Sequence, residues 1–257
     1  MIDLGARLRE SDRCLVGTWV KLSAGETVEL MALAGFDFVV IDLEHGTLTM
    51  EHASRHIAAA AARGVAPLVR VPDHGQSSIQ RVLDAGASGV LVPHVDDADE
   101  ALRVSRMLRF EPRGTRGFGA TSRAGQWGAL PREEYLRRGN EQAMFIPQIE
   151  CVQAVDALPD MLAHADVSAV FLGPGDLSVS LGVPDDHPRV LAAMDQVVAA
   201  ARAAGVPCGT AIGNDPARLA SLAARGFDFV MIGNDASFLG AAARGAVDAS
   251  LAALGAG

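Results

Sequence analysis

The sequence predicts a single α/β domain folded as a (β/α)8 TIM barrel. Three observations carry that expectation. The chain has 257 residues, a length that one barrel commonly fills and that two ordinary domains would strain. One pattern recurs along it: an Ala/Leu-rich helical stretch, a glycine, then four to six β-branched or apolar residues. Those short runs are continuous rather than alternating, as strands buried on both faces of a parallel sheet must be.

The elements follow in order. Leu15–Val20 reads as the first strand. Met31-Ala-Leu-Ala-Gly35 closes a helix ahead of Phe38-Val-Val-Ile-Asp42, and Ala58 to Gly64 closes one ahead of Ala66-Pro-Leu-Val-Arg70. Val82 to Gly86 leads into Gly89-Val-Leu-Val-Pro93, and Met144–Ile149 and Val167–Leu172 are the next two runs. Val197 to Gly205 precedes Pro207 to Ile212, Ala220 to Gly226 precedes Phe229-Val-Met-Ile232, and a last helix starts near Asp235. Glycine at the end of each helical stretch fits a C-cap, where positive φ is wanted. Gly35-Phe-Asp-Phe-Val-Val-Ile and Gly226-Phe-Asp-Phe-Val-Met-Ile echo one another. Eight such units close into a barrel; an open doubly wound sheet is the competitor, but no GxGxxG opens a helix after the first strand. Residues 110–142 read as one long Gly- and Arg-rich loop at the N-terminal face, expected together with the C-terminal helix in oligomer contacts.

Composition narrows the function classes. A formal charge of −9 without a basic cluster excludes a nucleic-acid partner. No apolar run nears the roughly 18 residues of a membrane span, and Met1 to Arg13 has no signal-peptide core. Cys14, Cys151 and Cys208 are scattered and odd in number, as in a cytoplasmic protein with reduced thiols.

In such a barrel the chemistry sits at the C-terminal strand ends. Those positions hold Trp19, Asp42-Leu-Glu44-His45, Arg70, His94, Gln148-Ile-Glu150 and Gly173-Pro-Gly-Asp176. Each alone could be a cap or a rim charge; together they converge. Glu150 and Asp176 with the Gln148 carboxamide, free of Cys or paired His, suit a hard divalent metal: Mg²⁺, alternatively Mn²⁺ or Co²⁺. Gly173-Pro-Gly175 lets backbone approach a ligand and offers amide donors. Arg70 ends an apolar strand, so it needs a buried anion, either a substrate carboxylate or enolate or a structural partner in Asp42 or Glu44. His45 stands where a general base would be placed. His52, His56, His74, His94, His164 and His187 read as structural. The single lysine, Lys21, reads as a surface ammonium, which disfavours a Schiff-base mechanism and leaves a metal as electron sink.

At these residues the sequence resembles the HpcH/HpaI aldolase family, the metal-dependent class II pyruvate aldolases. The resemblance is carried by Val40-Ile-Asp-Leu-Glu-His45, Val69-Arg-Val-Pro72, Arg81-Val-Leu-Asp-Ala-Gly86 and Leu91-Val-Pro93, and further on by Pro112-Arg-Gly-Thr-Arg-Gly117, Gln148-Ile-Glu150 and Phe171-Leu-Gly-Pro-Gly-Asp-Leu-Ser178. The family usually has alanine where Gly175 stands. The resemblance implies reversible cleavage of 4-hydroxy-2-oxo acids to pyruvate and an aldehyde through a metal-stabilised enolate. It implies Glu150 and Asp176 as metal ligands, and Gln148, Gly175 and Asp176 around the 2-oxo acid. Arg70 would stabilise the enolate, and His45 would be the base, made more basic by Asp84. Trp19 and Ile212 would lie near the aldehyde part. It further implies a hexamer, a trimer of dimers, in which the loop at Phe118 reaches a neighbour's site.

Two other barrel chemistries share some of these features. A citrate-lyase-β-like acyl-CoA lyase would share the carboxylates but want a basic patch for the CoA phosphates. A phosphate-binding isomerase or synthase would use Ile212-Gly-Asn-Asp215 and Ile232-Gly-Asn-Asp235, yet an Asp at each helix start reads as an N-cap.

Overall fold

The computed structural model describes residues 2–255, and over them the strands close into one parallel barrel in the order β1 to β8. The chain runs α1 (Leu4–Glu10), β1 (Leu15–Val20), α2 (Glu26–Ala34), β2 (Phe38–Asp42), α3 (Met50–Ala62), β3 (Ala66–Arg70), α4 (Gln76–Asp84), β4 (Gly89–Val92) and α5 (Ala98–Met107). It continues through α6 (Arg132–Glu141), β5 (Met144–Ile149), α7 (Val152–His164), β6 (Val170–Leu172), α8 (Pro174–Leu181), α9 (Pro188–Ala203), β7 (Cys208–Ile212), α10 (Pro216–Arg225), β8 (Phe229–Asn234) and α11 (Asp235–Ala253). The expected barrel is the observed one. Residues 1, 256 and 257 of the expected 1–257 domain lie outside the described residues.

The strand sequences explain the two-layered core. Residues alternate between the barrel interior and the helix layer, and both sides are dry, so β2 to β6 are buried throughout. One cluster, including Phe38, Val40, Leu68, Leu91, Ile146, Phe171 and Phe229, fills the interior. Val39, Ile41, Val69, Val90, Phe145 and Val230 instead meet the helices. Phe38 and Phe229 come from the two echoed segments and meet edge to face at 5.8 Å. Gly17 and Gly209 make room for them, since a Cβ at either position would lie within 2.3 Å of a Phe ring atom. The echo extends to the acids: Asp37 accepts from the Val16 amide and Asp228 from the Cys208 amide, each at 2.8 Å. Helix ends follow the glycine punctuation, with Gly35 and Gly226 left-handed at φ 95° and 108°.

Four expectations need correction. Residues 110–142 are not one loop, because α6 occupies their last third. Glu134–Arg138 and Arg137–Glu141 pairs at i,i+4 support this very polar helix, and Tyr135 anchors it against Phe110 at 5.2 Å. Strand β6 starts at Val170, three residues later than expected. Helix α8 begins inside the Gly173-Pro-Gly segment, with Pro174 in its first turn, a position that suits proline's fixed φ and missing N–H. Asp235 does not cap α11; Asn234 does, accepting from the Ser237 amide at 2.8 Å. Asp235 is buried and ties down the β1–α2 connection, accepting from the Lys21 and Leu22 amides at 2.9 and 3.0 Å.

Candidate active site

The ends of β1, β3, β5, β6 and β7 surround a cavity of about 330 Å³ at the C-terminal face. Its walls include Trp19, Arg70, Gln148, Gly175, Asp176 and Ile212, all six residues expected to bind substrate. A larger opening of about 530 Å³ lies at the opposite face, among residues that precede β1, β7 and β8. There Arg13 is spent on Asp37, and Asp228 on the Cys208 amide, in holding strand starts.

Asp42 is the hub on one side of the cavity. It closes β2 fully buried and accepts from Arg70 Nε at 2.9 Å and Nη2 at 2.7 Å. The Glu44 and His45 amides add bonds at 3.1 Å, which shapes the turn that carries His45. Burial alone would raise the Asp42 pKa. The bonds and charge of Arg70, then Lys21, outweigh it and hold the carboxyl at about 2. Arg70 Nη1 also comes within 2.9 Å of Glu44 Oε2. That contact is not aligned as a hydrogen bond, so Glu44 Oε2 is buried without one. Burial pushes the Glu44 pKa up against the pull of Arg70. Arg70 therefore holds the structural ion pairs that the sequence left open, while its guanidinium also stacks 4.3 Å above the Trp19 ring and faces the cavity.

Lys21 is not a surface ammonium. Its Nζ donates to Asp42 Oδ2 at 2.5 Å and to the His45 carbonyl at 2.9 Å, pinning the β2–α3 turn. A lysine engaged this way is a charge partner rather than a carbonyl nucleophile. His45 itself sits exposed at the rim, its Nε2 3.9 Å from Glu44 Oε2.

Asp84 does not join His45 within one chain. It ends α4, at the face where β4 begins, and accepts from Arg116 Nη2 at 2.9 Å and Tyr135 Oη at 3.4 Å. The helix runs from the catalytic face to the opposite one, so its last residue cannot lie at the top of its own barrel. Asp84 borders the loop of Phe118 instead, where a Cβ on Gly119 would lie 3.1 Å from its carboxylate.

Around Gly173, on the cavity wall, the side chains of Glu150, Gln148 and Asp176 come together. A Cβ there would lie 3.4 Å from Glu150 Cβ, 3.5 Å from Gln148 Nε2 and 3.7 Å from Asp176 Oδ2. Glu150 and Gln148 are buried, and the Gln148 amide donates to Glu150. Gln148 Oε1 is buried with no hydrogen-bond partner. An orphaned carboxamide oxygen, on a side chain that already meets Glu150 and shares the Gly173 neighbourhood with Asp176, fits a hard cation whose remaining positions go to water and substrate oxygens. Among the described residues no group of three or more His, Cys, Asp or Glu side chains is placed to hold a metal ion; a Mg²⁺-type site of one or two carboxylates does not require one. A Cβ at Gly175 would meet nothing within 4 Å, so the alanine usual in the family would add a methyl without moving a neighbour.

His94, which reads as structural in the sequence, meets Glu150. Its backbone takes a left-handed φ of 53°, unusual for a side chain of this size. That turn lets its amide donate to Glu150 Oε1 at 2.8 Å and brings Nδ1 to 2.6 Å from the same oxygen. The other histidines keep structural places: His52 completes the α3 capping box, His187 caps α9, and His74 lies 2.6 Å from Glu100. Asp215 caps α10, accepting from the Arg218 amide at 3.0 Å. The β7 and β8 ends thus carry their own acceptors where a phosphate would otherwise bind.

Comparison with known proteins identifies the family and agrees with the fold. The profile of the HpcH/HpaI aldolase/citrate lyase family matches residues 15–249. A 2-keto-3-deoxy-L-rhamnonate aldolase from Klebsiella pneumoniae is 36% identical over 223 residues, covering 86% of this chain and 82% of that protein. A 4-hydroxy-2-oxo-heptane-1,7-dioate aldolase from Shigella sonnei is 36% identical over 241 residues, covering 91% and 89%. The crystal structure of an HpcH/HpaI aldolase/citrate lyase family protein from Burkholderia cenocepacia superposes with a TM-score of 0.90 at 34% identity, covering 97% of this chain and 99% of that one.

Proposed function

The chain belongs to the HpcH/HpaI aldolase/citrate lyase family, and from that premise we propose that this carbon–carbon lyase is a divalent-metal-dependent class II aldolase. It reversibly cleaves 4-hydroxy-2-oxo acids to pyruvate and an aldehyde. The observation that carries the proposal is the convergence of Glu150, Asp176 and the orphaned Gln148 Oε1 beside the Arg70-lined cavity.

Glu150 and Asp176 would hold a Mg²⁺, Mn²⁺ or Co²⁺ ion, which supplies Lewis-acid stabilisation of charge on the 2-oxo oxygen when bound. Gln148 and the backbone around Gly175 orient the 2-oxo acid. During cleavage His45 takes the proton from the 4-hydroxyl, the C3–C4 bond breaks, and its electron pair moves toward the 2-oxo oxygen. Arg70 faces that oxygen with a fixed positive charge, already oriented by Asp42 and in need of no reorganisation. Trp19 and Ile212 flank the departing aldehyde and keep water from it. In condensation the same base removes a C3 proton from pyruvate.

That last step gives a test free of the aldehyde's identity. Protein stripped of divalent cations and incubated with pyruvate in D₂O is expected to exchange no methyl protons, and Mg²⁺, Mn²⁺ or Co²⁺ restores exchange. Absence of metal-dependent exchange would sink the proposal.

We infer a cytoplasmic location, a reading supported by three free thiols. We also infer a homo-oligomer, a hexamer built as a trimer of dimers. Helix α11 has 19 residues, of which only Asp235 is buried, and it exposes Leu239, Val247 and Leu251. The half-exposed Phe118 and the adjoining Asp84 form a second contact, able to reach a neighbour's His45. Light scattering is expected to give about six times the 26.7 kDa chain mass. Leu239→Glu with Val247→Glu lowers that mass, and a monomeric wild type would refute the assembly.

A further inference from the structure

The outer end of the cavity carries two charged groups that the aldolase chemistry leaves unused. Arg218, in the first turn of α10, and Asp185, between α8 and α9, both line it beyond Ile212 and Gly213. Arg218 Nη2 donates to Asp185 Oδ2 at 3.0 Å, with both side chains partly exposed. Trp19, Phe171, Ala211 and Ile212 supply apolar wall to the same cavity, which Arg70 also lines.

We propose that Arg218 and Asp185 form the recognition site for the distal end of the aldehyde, and that they select a short, uncharged, hydroxylated aldehyde over one ending in a carboxylate. This rests on the aldolase reading above and adds the substrate class to it. The pair presents a donor and an acceptor side by side with no net charge. A hydroxyl group both donates and accepts, so it can bond to both partners without breaking their attraction. A distal carboxylate could use only Arg218, and it would then face the Asp185 carboxylate, with Asp176 lining the same cavity. An unsubstituted alkyl end would leave both polar groups poorly paired as the cavity loses water.

The two kinds of relative differ in this respect by the substrates in their names, a deoxy-sugar acid in one and a seven-carbon dioic acid in the other. The charge balance at residues 185 and 218 favours the former type here. Exposed ion pairs are weak and exchange partners readily, so selection falls on which ligand groups satisfy both members, not on prying the pair apart.

The test compares kcat/KM for pyruvate condensation with glyceraldehyde, propionaldehyde and succinic semialdehyde, in the wild type, Arg218→Met and Asp185→Asn. The wild type is expected to favour glyceraldehyde over either other aldehyde by about 10-fold or more. Arg218→Met slows glyceraldehyde far more than propionaldehyde and so removes that preference. Asp185→Asn frees Arg218 and raises succinic semialdehyde turnover about 10-fold. A wild type that prefers succinic semialdehyde, or an Arg218→Met enzyme that slows all three aldehydes equally, overturns the proposal. Metal-dependent deuterium exchange into pyruvate, run on the same preparations, separates the two levels. If exchange is present and the preference absent, only the specificity claim fails; if exchange is absent, the aldolase reading falls and takes this one with it.

Discussion

Replacing Arg70 by alanine is expected to lower kcat by about 10²–10³-fold while changing the KM for the 2-oxo acid far less. That is the range seen when a preorganised donor to a developing oxyanion is removed. The reasoning is geometric. Arg70 is clamped through Nε and Nη2 by a fully buried Asp42, so its charge is fixed before substrate arrives. A ground-state 2-oxo acid carries little charge on the keto oxygen, whereas the enolate carries nearly a full one, so the interaction grows along the reaction. The variant also leaves Asp42 with Lys21 as its one cationic partner, and breaking a buried pair costs about 3–5 kcal/mol. Arg70→Lys is therefore the companion: it keeps a charge against Asp42 but loses the planar fork over Trp19. Thermal unfolding of both variants separates folding from turnover. Equal loss of pyruvate binding and of kcat in a folded variant would make Arg70 a binding or structural group instead.

The pH dependence of stability follows from the same cluster. The Asp42 pKa is depressed in the folded protein, so its contribution is complete above the ordinary aspartate range and disappears as pH falls toward about 2. At neutral pH the Arg70 and Lys21 pairs are intact, and activity lost between pH 5 and 8 has to come from another group.

What the sequence revealed and what it hid divide along a physical line. The barrel was readable because doubly buried strands leave continuous apolar runs and left-handed helix ends demand glycine, as at Gly35, Gly86 and Gly226. The cavity was readable because strand ends are fixed by those runs, which put Trp19, Arg70, Gln148 and Ile212 on one rim. Lys21 was misread because its role depends on a side chain folding back across β1 to β2. The available signal was charge balance: Asp42 and Glu44 at one buried strand end need more than a single arginine. His94 was hidden by backbone geometry, since nothing in Leu91-Val-Pro93 announces a left-handed residue next. Asp84 lies apart from His45 because it ends α4 at the face where the strands begin, and there it pairs with Arg116. Helix α6 was missed because its supports are charge pairs spaced along a segment with little apolar periodicity.

Glu150→Gln and Asp176→Asn are expected to abolish metal-dependent exchange and cleavage, and to weaken Mn²⁺ binding by more than about 10²-fold, the upper range for losing merely an outer-shell partner. Both substitutions are isosteric, so cavity shape is kept and a lost charge is what they report. They differ in their neighbours, and so in their side effects. Glu150 is buried and takes two contacts from His94 and one from Gln148. Its amide variant turns an acceptor toward the His94 N–H into a mixed donor and acceptor, which burdens folding as well as metal binding. Asp176 sits in the first turn of α8, where a carboxylate favours the positive helix end, and Asp176→Asn costs stability only about 0.3–1 kcal/mol by that route. Asp176→Asn is thus the cleaner probe: a near-native unfolding temperature with Mn²⁺ affinity gone identifies a ligand. His94→Ala separates the roles further, since it removes a contact to Glu150 while leaving both carboxylates in place. It should weaken Mn²⁺ binding within the 10- to 100-fold range, about that of an orienting partner. If Asp176→Asn binds Mn²⁺ as tightly as the wild type, the two carboxylates do not share a metal, and the enolate chemistry loses its electron sink.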